Sequence, residues 1–300
     1  MTYPGRTPVV VLVSAVELQE PDVDEPLLVT ALEGMGVDPR VVPWSADYDW
    51  ASAGLCVLRS TWDYHHRSEE FLEWCDRAAA QTQLVNPAPI VRWNADKRYL
   101  EDLDAAGVPI VPTIWAPIAE DPGDLAARVA REIRTRGWKD VVIKPVVSAA
   151  SYGTERFRAE DTAGIEWHLR WLYDEGRNAM VQQYLPSVED HGERAVVVIA
   201  NLVTHAVRKS PRFGRDDESV SGALPVADDE LALAREALAA IPPELGAAED
   251  LLYARVDIAR QPDGTPCVME LELIEPSLFL EQHPPALDRL ASAIVARFND

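Results

Sequence analysis

Three carboxylates recur at strand spacing near the end of the chain. They are Asp257, Glu270 and Glu272, and a turn carrying Gly264 separates the first from the other two. Because alternate residues of a strand point to the same face, Glu270 and Glu272 project together, and a hairpin brings Asp257 beside them. Carboxylates this close repel one another unless cations neutralise them, and oxygen ligands suit Mg²⁺ or Mn²⁺. The pattern predicts a metal site. The alternative is a hairpin whose acidic side faces water.

A lysine at the end of an apolar run precedes a loop of small residues. Lys144 follows three β-branched residues, and the loop after it contains Ser151, Gly153 and Thr154. Such a loop lets backbone N–H groups approach phosphate oxygens closely. Small-residue turns are common, so the lysine in front of this loop is what favours a phosphate site.

A second strand pattern ends abruptly at Pro186. Proline cannot continue a strand ladder, so we expect free backbone groups just before it, at Gln183, Tyr184 and Leu185, with Gln182 on the strand. Backbone groups at such a hinge are suited to reading the edge of an adenine ring.

A polar segment follows the third strand of the N-terminal part. Its candidate substrate residues are Arg59, Ser60, Thr61, Asp63 and Tyr64. Ligands of parallel sheets bind beyond the carboxyl ends of the strands, which favours a site for an amino-acid-like molecule. The alternative is a polar loop anchored by a buried Trp62. Farther along, the charged, glycine-containing stretch 210–222 is typical of a mobile active-site loop.

Composition limits the partners. The 300 residues carry a net charge of -22, which argues against nucleic acid or an anionic membrane as a partner. The three cysteines lie far apart in apolar runs and indicate buried thiols in a reducing compartment. The first residues lack the pattern of a signal peptide, and no apolar run reaches membrane-spanning length, so we expect a cytoplasmic protein.

The elements that position these residues alternate in type. Strands and helices alternate over the first hundred or so residues, which predicts an α/β unit of Rossmann-like type. A chain of this length exceeds a single core, and we expect three lobes: an N-terminal domain at 1–115, a central lobe at 116–186 and a C-terminal lobe at 187–300.

The order of these features is similar to that of the ATP-grasp ligases, most closely the glutathione synthetase and D-alanine-D-alanine ligase branch, over roughly residues 90 to 280. The resemblance implies an ATP-grasp fold with ATP between the last two lobes. By the same resemblance Lys97 and Lys144 hold phosphates, residues 182–185 bind adenine, and Glu189 or Glu193 takes the ribose. Asp257, Glu270 and Glu272 match the metal ligands, which implies two Mg²⁺ ions, with Mn²⁺ as the alternative. The family usually has Asn where this chain has Glu272.

Several cations are candidates to neutralise the phosphoryl group or the substrate carboxylate. They are Arg194, Arg208, Lys209 and Arg255, of which Arg255 is the strongest because it shares a strand face with Asp257. We assign Glu275 and Ser277, just after the second acidic strand, to the substrate.

Four stretches narrow the resemblance: residues 22–28, 59–64, 205–209 and 270–276. They look like those of the O-ureido-serine cyclo-ligases of D-cycloserine biosynthesis, a family of antibiotic biosynthesis. That resemblance implies activation of a small amino-acid-like carboxylate by ATP, then ring closure of O-ureido-D-serine with loss of CO₂ and ammonia. Two alternatives stay open: an intermolecular dipeptide or amide ligase, and a non-catalytic nucleotide-binding protein. A homodimer is also left open.

Overall fold

The computed structural model describes residues 7–18, 20–210 and 219–298, and within these residues it has three four-stranded sheets and nine α-helices. The strands are β1 Val9–Ser14, β2 Asp38–Pro43, β3 Leu55–Leu58, β4 Gln83–Val85, β5 Thr113–Ala116, β6 Asp140–Pro145, β7 Glu155–Arg158, β8 Ala179–Gln183, β9 Glu193–Ile199, β10 Leu202–Lys209, β11 Tyr253–Arg260 and β12 Pro266–Glu272. The helices are α1 Glu25–Gly34, α2 Ser68–Ala79, α3 Ala88–Asn94, α4 Tyr99–Ala105, α5 Pro122–Arg136, α6 Thr162–Asp174, α7 Ser187–Asp190, α8 Asp228–Ala239 and α9 Pro284–Ala296.

The first sheet is fully parallel, in the order β2-β1-β3-β4. The run Val10 to Val13 is completely buried because helices cover both faces of a parallel sheet. The predicted α/β unit of Rossmann-like type is therefore confirmed. The polar segment 59–64 leaves the carboxyl end of β3, as expected.

The second sheet is antiparallel, in the order β5-β8-β6-β7, and packs against α5 and α6. The ends of α5 follow from local chemistry. The Asp121 carboxylate accepts hydrogen bonds from the N–H groups of Gly123 and Asp124 at the N-terminus. Gly137 ends the helix in a left-handed conformation with φ of 69°.

The third sheet is also antiparallel, in the order β10-β9-β11-β12. One face packs against α8 through residues such as Val196, Val256 and Leu271. The other face packs against α9 and the N-terminal domain through residues such as Val197. Beyond this apolar part, the second face continues into a charged cleft.

A bulge interrupts the hairpin of β11 and β12. Asp257 pairs with Glu270, but the next residue, Ile258, pairs with Val268, so Met269 is an extra residue. Because of this residue, Val268 points into the α8 core while Glu270 points into the cleft.

Lys97 lies between two short helices, after the end of α3 and just before α4 begins at Tyr99. Residues 211–218 of the expected mobile loop lie outside the described residues. Within the described residues no helix is long and apolar enough to cross a membrane.

Candidate active site

A cleft between the second and third sheets brings most of the candidate residues together. Its volume of about 360 Å³ is in the range of small-ligand sites. The sequence candidates that line it are Asp63, Tyr64, Lys97, Lys144, Ser151, Thr154, Gln182, Gln183, Tyr184, Leu185, Glu193, Lys209, Arg255, Asp257, Glu270, Glu272, Glu275 and Ser277.

The two predicted phosphate lysines meet one predicted metal ligand. The Nζ atom of Lys144 lies 2.5 Å from Oε1 of Glu270, and Nζ of Lys97 lies 3.8 Å from Oε2. Lys97 also donates to the carbonyl oxygen of Ser148 at 2.8 Å. Since Lys144 is on β6 and Glu270 on β12, this contact joins the second and third sheets across the cleft.

A second ion cluster is built on the third sheet. Arg255 donates from Nε to Oδ1 of Asp257 and from Nη2 to Oδ2, both at 2.9 Å, and it also contacts Glu272. Lys209 lies 2.7 Å from Oδ2 of Asp257 and 2.5 Å from Oε1 of Glu193. Strand alternation places all five side chains on one face.

Two carboxyl groups are held ionised by these partners. Burial opposes the charge on Glu270, but Lys144 and Lys97 outweigh it and lower the pKa of Glu270 to about 2. Burial also opposes the charge on Asp257, yet Arg255 brings the pKa of Asp257 well below its usual range. Both groups are anions at neutral pH.

The other acids of the cleft behave differently. Burial raises the pKa of Glu272 to about 7 despite the opposing effect of Arg255. Burial likewise raises the pKa of Glu193 to about 7, against the effect of Lys209. Burial and the neighbouring Glu272 raise the pKa of Glu275 to about 8. The pKa values of these three acids are thus shifted upward, opposite to those of Glu270 and Asp257.

The predicted metal ligands fit Mg²⁺ by their chemistry, because all three are carboxylates. The side chains of Glu270 and Glu272 are 23% and 27% exposed and face the cleft. Asp257 is different: its side chain is 2% exposed, and both oxygens contact Arg255 or Lys209. Among the residues that the structure describes, no group of three His, Cys, Asp or Glu side chains is arranged to hold a metal ion.

The hinge has fewer free backbone groups than expected. The N–H of Gln183 donates to the Pro112 carbonyl and that of Tyr184 to the Asp140 carbonyl, both at 3.0 Å, because these residues extend the pairing of the second sheet. In the described part of the chain no acceptor is bonded to the N–H of Leu185. The prediction of free groups over the whole hinge is wrong for Gln183 and Tyr184.

The small-residue loop splits into two roles. Ser151 and Thr154 line the cleft, and Ser151 has a positive φ of 57°. Gly153 faces away, with φ of 66°. A Cβ atom there would lie 3.1 Å from Pro145 and 3.3 Å from Trp171. The turn and its packing are therefore sufficient to require glycine at this position.

The sequence reasoning missed two residues that fix the acidic strand. β12 is an edge strand. At Val268 its outer edge is bonded by the backbone of Pro109 and Val111, and around Leu271 it is bonded by side chains. Asn94 donates to the Leu271 carbonyl at 2.7 Å and accepts from the Leu273 N–H at 2.9 Å, and the Tyr99 hydroxyl accepts from the Leu271 N–H at 2.8 Å. The sequence offered one signal: Asn94 follows the apolar residues Ile90, Val91 and Trp93 of a helical segment.

The N-terminal candidates also divide. Asp63 and Tyr64 line the cleft, and the indole of Trp62, also in the wall, donates to the Glu275 carbonyl at 3.0 Å. Arg59, Ser60 and Thr61 are at most 2% exposed and lie behind the wall. The Arg59 guanidinium donates to the Pro276 carbonyl at 3.3 Å. The expectation that these three contact substrate is corrected, because β3 carries them into the interior before the chain turns outward.

Three charged candidates do not reach the cleft. Arg194 and Arg208 each adjoin a cleft residue on a strand, so alternation turns them to the opposite face. Arg194 pairs with buried Glu230 at 3.2 Å, and Arg208 packs its exposed side chain near Gly192. Glu189 is exposed and accepts from the Tyr184 hydroxyl at 2.6 Å. These placements correct the catalytic expectation for both arginines and leave Glu193 as the ribose candidate in the cleft.

Comparison with known sequences shows one family consistently. A family model described as "D-cycloserine synthetase DcsG, N-terminal domain" matches residues 10–86. The cycloserine biosynthesis protein DcsG of Streptomyces lavendulae is 33% identical over 284 residues, covering 92% of this chain and 94% of that protein.

Solved structures agree. A crystal structure of D-cycloserine synthetase DcsG superposes with a TM-score of 0.88 at 32% identity, covering 97% of this chain and 99% of that one. The ATP-grasp ligase PsnB, solved with a precursor variant, Mg and ADP, superposes with a TM-score of 0.63 at 21% identity, covering 97% and 99%. The second match shows the fold alone.

Proposed function

Because the chain belongs to the family of the cycloserine biosynthesis protein DcsG and is an ATP-grasp ligase, we propose that its substrate is O-ureido-D-serine, which it closes to D-cycloserine. The observation that carries this proposal is 33% identity over nearly the full length of both chains. The cleft supports the proposal, because it brings together the lysines, the arginine and the carboxylates that phosphoryl transfer to a carboxylate needs.

The proposed reaction consumes O-ureido-D-serine, ATP and water. The substrate carboxylate attacks the terminal phosphorus of ATP, giving an acyl phosphate and ADP. The nitrogen bonded to the side-chain oxygen then attacks the acyl carbon, closes the ring and expels phosphate. Water hydrolyses the carbamoyl group, which leaves as CO₂ and ammonia. The products are D-cycloserine, ADP, phosphate, CO₂ and ammonia.

Lys144 and Lys97 are the groups that we assign to the phosphates. Both are nearly buried and point into the cleft beside the small-residue loop, where Ser151 and Thr154 line the wall. Phosphoryl transfer requires mainly positioning and neutralisation of charge, and buried lysines provide both.

Mg²⁺ belongs to this chemistry, as in the ADP complex of PsnB. We assign it to Glu270 and Glu272, with Asp257 behind them; when bound, it neutralises phosphate charge. The number of ions and the use of Mn²⁺ follow only from the sequence resemblance. Binding of the nucleotide and metal would give Lys144 and Glu270 new partners in place of each other.

Arg255 and Lys209 are the residues that we assign to the carboxylate and the transferred phosphoryl group. Arg255 fixes Asp257 through Nε and Nη2, contacts Glu272 and donates from Nη1 to the carbonyl of Ser277, another residue of the cleft wall. Adenine and ribose are assigned to residues 182–185 and to Glu193.

Purified protein with ATP, Mg²⁺ and O-ureido-D-serine as the only organic substrate should release ADP and phosphate in step with D-cycloserine, identified by mass spectrometry. If this single substrate gives no ADP while pairs of amino acids give ADP and a dipeptide, the protein is an intermolecular ligase. If no carboxylate raises ADP release although ATP binds, the protein is a non-catalytic nucleotide-binding protein.

We also propose three lobes. The strands of the three sheets fall at 9–85, 113–183 and 193–272. β5 crosses the boundary expected at 115, so we place that boundary before Thr113 and keep the second one after Pro186. The small substrate is the proposed partner, and a homodimer stays an open proposal.

A further inference from the structure

Glu275 differs from the other acids of the cleft that are at least partly buried, because within the described residues its carboxylate has no partner on another residue. The cations that line the cleft within the described residues are Lys97, Lys144, Lys209 and Arg255. Each of them contacts another acid, in Asp257, Glu193, Glu270 or Glu272. No hydrogen bond or ion pair joins the Glu275 carboxylate to any other residue that the structure describes.

The backbone that carries Glu275 is, by contrast, firmly held. The Trp62 indole donates to its carbonyl, Arg59 donates to the next carbonyl, and Arg255 donates to the Ser277 carbonyl at 3.2 Å. Farther along, the buried Asp24 carboxylate accepts from the N–H groups of Leu278 and Leu280 at 3.1 and 2.8 Å. A carboxylate left unpaired on an immobilised segment is prepared for a ligand.

The charges that face Glu275 favour a cationic ligand. Glu272 repels the Glu275 carboxylate. Lys97 and Arg255 attract it, but their ion pairs are with Glu270 and with Asp257 and Glu272. Burial raises its pKa, which is the response of an acid that lacks a counterion. The ring of buried Tyr64 is also in this wall, and an aromatic face is compatible with a cation.

We propose that Glu275 binds the α-ammonium group of the substrate and so selects amino acids over other carboxylic acids. The inference rests on the proposed function, because it takes the substrate to be amino-acid-like. The α-nitrogen stays outside the bonds that are made and broken in ring closure, so the protein can hold it throughout the reaction as a fixed point. An ammonium paired with a carboxylate keeps its proton and is not a nucleophile. Glu275 therefore also prevents the α-nitrogen from attacking the acyl phosphate of another molecule.

The test compares O-ureido-D-serine with its des-amino analogue, 3-(ureidooxy)propanoate, in the wild type and in Glu275→Gln. The variant should raise the KM of the amino substrate about 10- to 100-fold, the range for losing one partner of a buried charge pair. The KM of ATP and the KM of the des-amino analogue should change by no more than about two-fold. Glu281→Gln is the matched control, because this acid is exposed on the same segment.

Thermal melting gives a second measurement. The amino substrate should raise the Tm of the wild type more than the analogue does, and this difference should vanish in Glu275→Gln. The proposal is overturned if the variant weakens both compounds equally, or if the wild type uses both equally well.

Failure of the proposed function is a separate result. If O-ureido-D-serine is not a substrate, ADP release is measured with amino acids and their des-amino counterparts. A preference for the amino acids that Glu275→Gln abolishes supports the proposal. Equal use of the two sets, or ADP release with neither, overturns it.

Discussion

Lys144 and Glu270 hold each other across the cleft, with Nζ 2.5 Å from Oε1. The first is assigned to the phosphates of ATP and the second to Mg²⁺, so the two partners of the nucleotide complex neutralise one another before it binds. This arrangement avoids leaving two unpaired charges nearly buried, which would be costly.

Replacing the lysine should affect ATP selectively. Lys144→Ala removes a phosphate contact and leaves Glu270 without its closest cation, so we expect the KM of ATP to rise at least about 10-fold. The KM of the amino-acid substrate should change little. Steady-state ADP release measures both constants, and Lys139→Ala, an exposed lysine next to the same strand, is the control. An unchanged KM for ATP removes Lys144 from the nucleotide site.

Replacing the acid should affect turnover. Glu270→Gln keeps the shape of the side chain but removes the charge assigned to Mg²⁺, and we expect kcat to fall at least about 100-fold. Circular dichroism should show an intact fold. Glu249→Gln, on an exposed turn, should behave as wild type. Normal ADP formation by Glu270→Gln would mean that the metal is held elsewhere.

Neighbouring residues on β10 should differ sharply. Lys209→Met leaves buried Asp257 and Glu193 without a shared cation, and we expect it to lower the free energy of unfolding by about 3 kcal/mol. Arg208→Met, on the exposed face, should cost less than about 0.5 kcal/mol. Urea unfolding of both variants measures the difference. Similar values for the two would contradict the assignment of faces.

Asp24 should act on substrate binding from behind the wall. The N–H groups of Leu278 and Leu280 are bonded to different oxygens of Asp24, so Asp24→Asn, which replaces one oxygen by an NH₂ group, leaves one of these N–H groups without its acceptor. We expect the KM of the amino-acid substrate to rise about 10-fold, while the KM of ATP stays within about two-fold. Asp47→Asn, at an exposed position in the same domain, is the control. A parallel rise in both KM values would point to general loosening of the fold.

The stability of the free protein should report on Glu275. Its folded pKa is raised from 4.5 to about 8, by burial first and then by Glu272. The folded state therefore binds the extra proton, and stability falls as pH rises from 4.5 through 8. Glu275→Gln lacks this loss, so it should be more stable than wild type by about 1–3 kcal/mol at pH 9 and by little at pH 5. Subtracting the two pH profiles cancels the other titrating groups, and a difference that does not depend on pH would be inconsistent with an unpaired carboxylate.

Local patterns were sufficient for much of the fold and part of the site. Alternation placed Glu270 and Glu272 on one face, and both line the cleft, as expected. These features depend on a few neighbouring residues, so a short window of sequence contains the information. The same rule, applied to Arg194 and Arg208, would have separated them from Glu193 and Lys209.

Distant contacts were beyond such reasoning. Asp24 meets backbone more than 250 residues away. In the sequence Asp24 looks like an ordinary helix N-cap residue. Its side chain, however, makes no capping hydrogen bond to the backbone of α1. No turn residue in the sequence marks the bulge at Met269. The bulge reflects long-range packing, in which Val268 enters the α8 core while Glu270 faces the cleft.

That bulge fixes which residues of β12 lie opposite which residues of β11. Met269 packs beside the hinge, and the strand beyond it is shifted by one residue relative to β11. Deleting Met269 would restore regular alternation, with Val268 toward the α8 core and Glu270 toward the cleft. Deleting a residue from the regular part of β12, such as Leu271, would instead turn Glu272 toward the α8 core. Side chains along the regular part of this hairpin can therefore be exchanged, but the number of residues there cannot change by one without moving the acids. Changes in length are tolerable where the chain turns, as at Gly264.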